Sequence, residues 1–300
     1  MKLETYTKMR KIFSSLVFKL TGGKEFFRDP SHLVHPMKWF FAYSEDSNPR
    51  MPDLIKVAVI TAQKQTNLVP YCIYDGKPSK DTAWLEKKGV HIIYHRSLLS
   101  ETVTKIFGEG SHAKGGRGAL LRVDLPKLLV EQGFTDPYVL YTDCDVMFMD
   151  SIHELQKIRP RYFACAPDAE PDNWNNINTG VMLMNVKNLY STYEEFVLFI
   201  KNNMKKDWAF DQNAYNIYYK GKITKLPIEY NWKPYWGDSP SKKIIHFHGP
   251  KPIYGENYDT LKGTEHEPLL YLYDKDRNTY QKFFKEWNEI LLRGTQNFFI

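Results

Sequence analysis

Two carboxylates set one residue apart, Asp143 and Asp145, are the groups in this sequence whose type and spacing best suit chemistry. They flank Cys144 in Tyr138-Val-Leu-Tyr-Thr-Asp-Cys-Asp-Val-Met-Phe-Met-Asp150. Apolar and β-branched residues run up to Thr142, so the stretch reads as a buried strand that delivers both acids at its C-terminal end. Open parallel sheets place their ligands there. Two carboxylates this close repel each other unless a cation lies between them, and such hard oxygen ligands suit Mg²⁺ or Mn²⁺. The plain alternative is a solvated turn, because Asp is common where strands end.

Further candidates lie around this pair. In Ile244-Ile-His-Phe-His-Gly-Pro-Lys-Pro252 an apolar strand ends in His246 and His248, and Gly249 with the prolines sets a tight turn before Lys251. An imidazole can complete a metal site and an ammonium can neutralise phosphate, so the cluster joins a ligand type to an anion-binding cation. Asp211 and Gln212 fall in the first turn of a helix read over 211–219, where an acid also caps free backbone N–H groups. Arg122 stands on an otherwise apolar helical surface, and Asn178-Thr-Gly180 leads from a polar loop, 167–176, into an apolar strand. Polar loops of this kind border sites. The run Gly108-Glu-Gly-Ser-His-Ala-Lys-Gly-Gly-Arg-Gly118 fits neither a P-loop nor a dinucleotide fingerprint, and its glycines point to a mobile flap.

The elements that must position these groups alternate. Residues 38–44 read as a strand, 52–65 as a buried helix opened by Pro52 and apolar almost all round, and 69–74 as a second strand, which makes a βαβ unit with parallel strands. A helix over 81–88, capped by Asp81 and stopped by Gly89, precedes a third strand at 90–95. Residues 119–132 read as a helix in which Pro126 marks a kink or the true start. Beyond the central strand come a short helix near 152–157 capped by Ser151, strands at 162–166 and 178–185, helices at 193–203 and 211–219, and an amphipathic helix over 279–293. This alternation predicts an α/β fold.

Composition narrows the partners. With 300 residues, 42% hydrophobic and 25% charged, the chain can bury a sizeable core. A net charge of +6 favours anionic ligands or anionic membrane surfaces and is too mild to argue for nucleic acid. The 20 Tyr, 18 Phe and 7 Trp are spread through the chain, unlike the interleaving of an RNA-binding motif. Cys72, Cys144 and Cys165 are odd in number and widely spaced, which indicates neither a disulfide framework nor a zinc cluster and suits a reducing compartment. No apolar run reaches the ~18 residues of a membrane span and the N-terminus lacks a signal-peptide pattern, so a cytoplasmic location is expected. Residues 1–24 read as a basic amphipathic helix that suits either an anionic bilayer surface or the protein's own core.

Taken in order, the first strand, Asp-x-Asp, Asn-x-Gly-Val, Asp-Gln, and His-x-x-Gly with Lys and Pro extend from about Trp39 to Pro252. In that order they resemble the GT-A glycosyltransferases of family 8, the group of glycogenin and the bacterial lipopolysaccharide galactosyltransferases. The resemblance implies a single Rossmann-like, mixed but mainly parallel sheet flanked by helices over 36–252, with a basic segment at 1–35 and a helical C-terminal extension at 253–300. It implies metal-dependent, retaining transfer of a hexose from UDP-galactose or UDP-glucose to a glycan, a lipid-linked glycan or another hydroxyl acceptor. By the same resemblance Ala42, Ser44 and Asp46 line the uridine pocket, and Asp143, Cys144, Asp145, Gly249 and Lys251 contact the nucleotide further along. Arg122, Asn178, Asp211 and Gln212 approach the donor sugar, with Gln212 or Asp211 nearest the reacting carbon. Asp143, Asp145 and His246 hold Mn²⁺ or Mg²⁺, with His248 as a substitute ligand. The sequence departs from the family in carrying Ser44 where an acid is frequent, Ser47 where an aromatic follows, and one residue fewer between Gly249 and Lys251.

Haloacid-dehalogenase-type phosphatases also place Asp-x-Asp after an apolar strand, with the first Asp, here Asp143, as nucleophile. That reading needs the strand to open the domain and a distal acid pair, and Gly237-Asp238 has no second acid within the next four residues. A non-catalytic sugar-nucleotide-binding module is the third reading; the intact Asp143, Asp145 and His246 weigh against it.

Overall fold

The first strand, β1 (Lys38–Ser44), is built from Trp39, Phe40, Phe41 and Tyr43 and is buried on both faces, as the central strand of a helix-covered sheet must be. The structure is a computed structural model that describes residues 36–255, 258–264 and 266–296. The expected basic helix at 1–24 and the segment 1–35 therefore lie outside the described residues. After β1 come α1 (Met51–Gln65), β2 (Val69–Asp75), α2 (Lys80–Lys87), β3 (His91–Tyr94), α3 (Ser100–Phe107) and α4 (Ser111–Glu131). The middle of the chain supplies β4 (Tyr138–Thr142), β5 (Val146–Phe148), β6 (Phe163–Pro167) and β7 (Ile177–Asn185). It is followed by α5 (Val186–Ser191), α6 (Tyr193–Asn203), α7 (Asp211–Tyr218), β8 (Thr224–Lys225), β9 (Ile244–His246), α8 (Leu269–Lys275) and α9 (Arg277–Gln296).

Seven strands form one mixed sheet in the order β3-β2-β1-β4-β7-β6-β8. β3, β2, β1 and β4 are parallel, β7 runs antiparallel to both β4 and β6, and β8 is parallel to β6. The chain winds outward from β1 through β2 and β3, then returns to lay β4 on the other side of β1. A crevice opens at such a switch in winding direction, beyond the carboxyl ends of the two strands. Ser44 and Asp143 sit at those two ends. The expected α/β architecture, one mainly parallel sheet flanked by helices, is what the chain forms.

The breadth of apolar surface on α1 has a packing cause. Ile55, Ala58, Val59 and Ala62 pack on the sheet with Trp39, Phe41 and Leu140, while Leu54 and Val57 on the opposite side join Tyr280, Phe283, Phe284 and Trp287 of α9. A helix buried from two sides is apolar nearly all round. The other sheet face is covered by α4, α6 and α7 through Leu121, Leu125, Phe196 and Tyr215. A second, two-stranded antiparallel sheet pairs β5 with β9, Val146 opposite His246. The sequence shows 146–148 as an apolar run with no sign of this partner.

Several boundaries differ from the sequence reading. The glycine-rich run at 108–118 is not a flap: α4 begins at Ser111 and carries straight through it. Helical glycine costs about 1 kcal/mol relative to Ala, so close approach must compensate. At Gly116 it does, since an added Cβ would lie 2.1 Å from the Phe210 ring. Pro126 lies inside α4 and does not start it, and leaves the carbonyl of Arg122 without its helical donor. Ser79, in a reciprocal capping box with Thr82, caps α2 in place of Asp81. Ser151 does not cap the short 3₁₀ segment His153–Lys157; its hydroxyl meets the His153 ring. α3 and α5 were not expected from the sequence; each spans about two turns, too short for a clear apolar period.

Candidate active site

β4 hands the chain to the site without a break in the ladder, because the Asp143 N–H still donates to the Gly180 carbonyl of β7 at 2.8 Å. Beyond it Asp145 turns into β5, and its carbonyl accepts from the Phe247 N–H at 2.9 Å. The register of β5 against β9 then sets His246 beside Asp145, although a hundred residues separate them in the sequence. His246 Nε2 stands 3.4 Å from Asp145 Oδ1 and 3.8 Å from Asp143 Oδ2. One ligand atom from each of the three lies within 4.8 Å of the others, and no other such cluster of three occurs among the described residues. Two carboxylates and an imidazole fit a hard divalent ion of the Mn²⁺ or Mg²⁺ kind. Gly180 makes the space: a Cβ there would fall 2.1 Å from the His246 ring. His248, the expected substitute, is not in the cluster; its Nδ1 pairs with the Tyr235 hydroxyl at 3.0 Å and its Nε2 faces Asp168 at 3.6 Å.

Cations already hold both acids. Lys251 Nζ is ion-paired and hydrogen-bonded to Asp145 and donates to the Phe247 carbonyl at 3.2 Å. Burial works against a charged Asp145, but Lys251 and His246 outweigh it and hold the carboxyl well below its ordinary range. Arg122 is buried, lies over the Tyr141 ring, and places Nη2 2.9 Å from Asp143 and Nε 2.9 Å from Asp211. Burial disfavours its charge, yet these two acids raise its pKa further. The Nε–H itself is aimed at the Ala119 carbonyl, so Asp211 Oδ2 has a charge beside it but no hydrogen-bond donor. Burial, with Asp143 adding to it and Arg122 opposing it, pushes Asp211 up to about 6.

Asn178 is a hub and not a free contact. Its Nδ2 donates to Gln212 Oε1 at 3.0 Å and to Asp168 at 3.1 Å, and its Oδ1 accepts from the Gly180 N–H and from Asn231 Nδ2, both at 3.0 Å. A side-chain amide has two hydrogens and two lone pairs, and all four are spent inside the protein. Gln212 Oε1 also accepts from the Thr179 N–H at 3.3 Å, which leaves Nε2 as the end of the amide without a partner among the described residues.

A cavity of about 330 Å³ lies over the two acids. Ala42, Tyr43, Ser47, Met51, Gly118, Arg122, Tyr141, Cys144, Phe210 and Lys251 line it with them. Of the expected nucleotide contacts, Ala42, Cys144 and Lys251 reach this cavity, whereas Ser44, Asp46 and Gly249 are not in its lining. Ser44 is buried, and Asp46 is ion-paired to Arg117 at 3.0 Å. Gly249 serves the turn, with φ +84°, and an added Cβ would strike Leu272 at 2.6 Å. The Cys144 thiol donates to the Ala42 carbonyl at 3.0 Å, and burial keeps its pKa well above the ordinary value. A larger cavity of about 590 Å³ borders α9 near Tyr258 and Arg277, but it contains none of the clustered acids.

Phe210 and Asn231 were not legible in the sequence, and Asp168 was marked only as part of the polar loop at 167–176. Phe210 is the one non-glycine residue at positive φ, 45°, among the described residues, and its ring walls the cavity immediately before Asp211. The only sign in the sequence is its position beside Asp211-Gln212. Within that loop nothing singles out Asp168, and Asn231 lies in an irregular stretch with no periodicity to mark it.

Comparison with known proteins bears on this arrangement. A family model described as Glycosyl transferase family 8 matches residues 55–252. No curated protein sequence matches the chain. Among solved structures, the apo-form glycosyltransferase GlyE of Streptococcus pneumoniae TIGR4 superposes with a TM-score of 0.56 at 15% identity, covering 87% of this chain and 64% of that one. The chain thus spans less than two thirds of that protein. The galactosyltransferase LgtC, solved in complex with donor and acceptor sugar analogs, gives 0.53 at 18% identity, covering 79% of this chain and 95% of that one. Mouse xyloside xylosyltransferase 1 in its apo form gives 0.51 at 14%, over 71% and 97%. Likeness at such identities speaks for the fold.

Proposed function

The chain belongs to glycosyl transferase family 8, and on that premise we propose that it moves a hexose from a UDP-sugar to a hydroxyl of a glycan or lipid-linked glycan, with retention of anomeric configuration. UDP-galactose and UDP-glucose are the donors we favour. The observation that carries the reading is the meeting of Asp143, Asp145 and His246, of which the two acids line a cavity together with Arg122 and Lys251. A divalent cation bound by the three would supply positive charge to the diphosphate as negative charge builds on the leaving phosphate.

The chain's own groups do the rest. Lys251 brings an ammonium to the same edge of the cavity as Asp145, where it neutralises charge on the diphosphate. Arg122 holds Asp143 and Asp211 in fixed positions and keeps the pair from repelling. The Gln212 oxygen, the nucleophilic end of the amide, is turned into the Asn178 and Thr179 donors, so the amide offers an N–H to the donor sugar. Asp211 is buried behind Arg122. With neither group free to attack the anomeric carbon, retention follows from front-face attack: the acceptor hydroxyl bonds to the carbon on the side the phosphate leaves, and the departing phosphate oxygen takes the hydroxyl proton. Trapping a sugar adduct on Asp211 by mass spectrometry would overturn that route.

Release of UDP from a panel of UDP-sugars, with Mn²⁺ or with EDTA, tests the function. We expect slow, metal-dependent release from one hexose donor, abolished in Asp145→Ala. Phosphate release from p-nitrophenyl phosphate would instead support the phosphatase reading of Asp143, and UDP binding without any turnover would support the non-catalytic module.

A further inference from the structure

We propose that Asn231, a residue not so far given any role, is the positioning residue that fixes which ring nitrogen of His246 carries the proton. The proposal rests on the cation-site reading above only for its consequence; the proton placement follows from hydrogen bonds alone. Two backbone N–H groups, which can only donate, anchor the deduction. The Gly180 N–H meets one end of the Asn178 amide at 3.0 Å, so that end is the oxygen. The Thr179 N–H meets Gln212 at 3.3 Å, so that end of Gln212 is also an oxygen, and the Asn178 Nδ2 beside it donates at 3.0 Å.

With Asn178 oriented, its Oδ1 must receive a hydrogen from Asn231, which therefore turns Nδ2 toward it at 3.0 Å. The opposite end of Asn231 is then Oδ1, and it lies 3.0 Å from His246 Nδ1. An oxygen there can only accept, so Nδ1 carries a hydrogen, and in the neutral ring Nε2 keeps its lone pair. Nε2 is the nitrogen that faces Asp145 and Asp143. A metal-ligating imidazole requires this arrangement, with its distal N–H anchored by a second group.

Chain geometry keeps the ring in place. The Trp232 N–H donates to the Ile244 carbonyl at 2.9 Å and the His246 N–H to the Trp232 carbonyl at 2.8 Å, which binds the Asn231 stretch to β9. Gly180 lets the ring lie against β7. The backbone thus sets the place of the imidazole, and Asn231 sets its proton.

The test reads the tautomer directly, by ¹⁵N NMR of metal-free, histidine-labelled protein, with the His246 resonances assigned by their loss in His246→Gln. Mn²⁺ affinity is measured in parallel by calorimetry. In the wild type, at a pH high enough that the ring is neutral, we expect the Nδ1–H form. Asn231→Leu, near in volume but without an acceptor, should lose that fixed form and weaken Mn²⁺ binding by about 10- to 100-fold. Asn231→Asp, which keeps an acceptor opposite Nδ1 but withdraws the hydrogen given to Asn178 Oδ1, should retain the Nδ1–H signal with an affinity between those of the wild type and Asn231→Leu. An Nε2–H tautomer in the wild type, or an unchanged tautomer in a folded Asn231→Leu protein, would overturn the proposal. If the wild type shows the Nδ1–H form, lost in Asn231→Leu, but takes up no Mn²⁺, the cation-site reading fails while the assignment of Asn231 is upheld.

Discussion

Asp211 shows how a single buried acid ties the site to stability. Burial pushes its pKa from the ordinary 3.8 up to about 6, with Arg122 opposing. An acid raised in this way favours the folded state at low pH: the contribution is complete below 3.8 and is lost as pH rises through about 6. Asp211→Asn removes the titration. Between those two values the wild type should therefore lose stability relative to the variant, by up to about 3 kcal/mol, in denaturant titrations at stepped pH. A difference that stays flat with pH would contradict the burial argument. At this scale the sequence revealed the chemical groups better than their engagements. Asp143, Asp145 and His246 were recognisable by type and spacing, because ligand chemistry is local. That the Asn178 amide would be fully spent on Gln212, Asp168, Gly180 and Asn231 was not, because such bonds depend on which strands become neighbours.

Among the elements, α4 and the start of α7 are coupled through one close approach. Gly116 gives its side-chain space to the Phe210 ring, and Phe210 holds a backbone conformation that costs a non-glycine residue about 1–3 kcal/mol. Gly118 differs, since its nearest neighbours to a built Cβ are 3.7 Å away, an ordinary contact. Gly118→Ala should raise the melting temperature, as the gain in helix propensity is about 1 kcal/mol. Gly116→Ala should lower it despite the same gain, because overpacking against Phe210 costs about 1–3 kcal/mol. Thermal unfolding of the two variants decides the matter, and equal shifts would show that the ring is not held by the glycine. The parallel strands and their crossover helices were legible because continuous apolar runs between turn residues mark them. The glycine-rich start of α4 was not: composition cannot distinguish glycine used for freedom from glycine used for close contact.

Across the whole molecule, the C-terminal elements share their core with the sheet layer. The described residues from Pro36 onward form one compact unit, and Trp287 is fully buried with Leu54 and Val57 of α1 and Ile245 and Phe247 next to His246. Trp287→Ala should cost about 3–5 kcal/mol in chemical denaturation, a large share of the roughly 5–15 kcal/mol that holds a typical domain. A variant of unchanged stability would mean that α9 is dispensable to the core. The amphipathic period of α9 is plain in the sequence, but its docking surface on α1 is not, because period reveals an apolar face and not its partner. No helix among the described residues is long and apolar enough to cross a membrane.

The central claim, that two side chains from the turn after β4 and one from β9 grip one cation on which nucleotide binding depends, is tested most directly by calorimetric titration of UDP into the protein with Mn²⁺ or with EDTA. The account predicts binding with Mn²⁺, at least tenfold weaker binding in EDTA, and the same weakening in Asp145→Ala whether or not Mn²⁺ is present, on the scale of an absent metal ligand. Equal affinity for UDP in Mn²⁺ and in EDTA would contradict it.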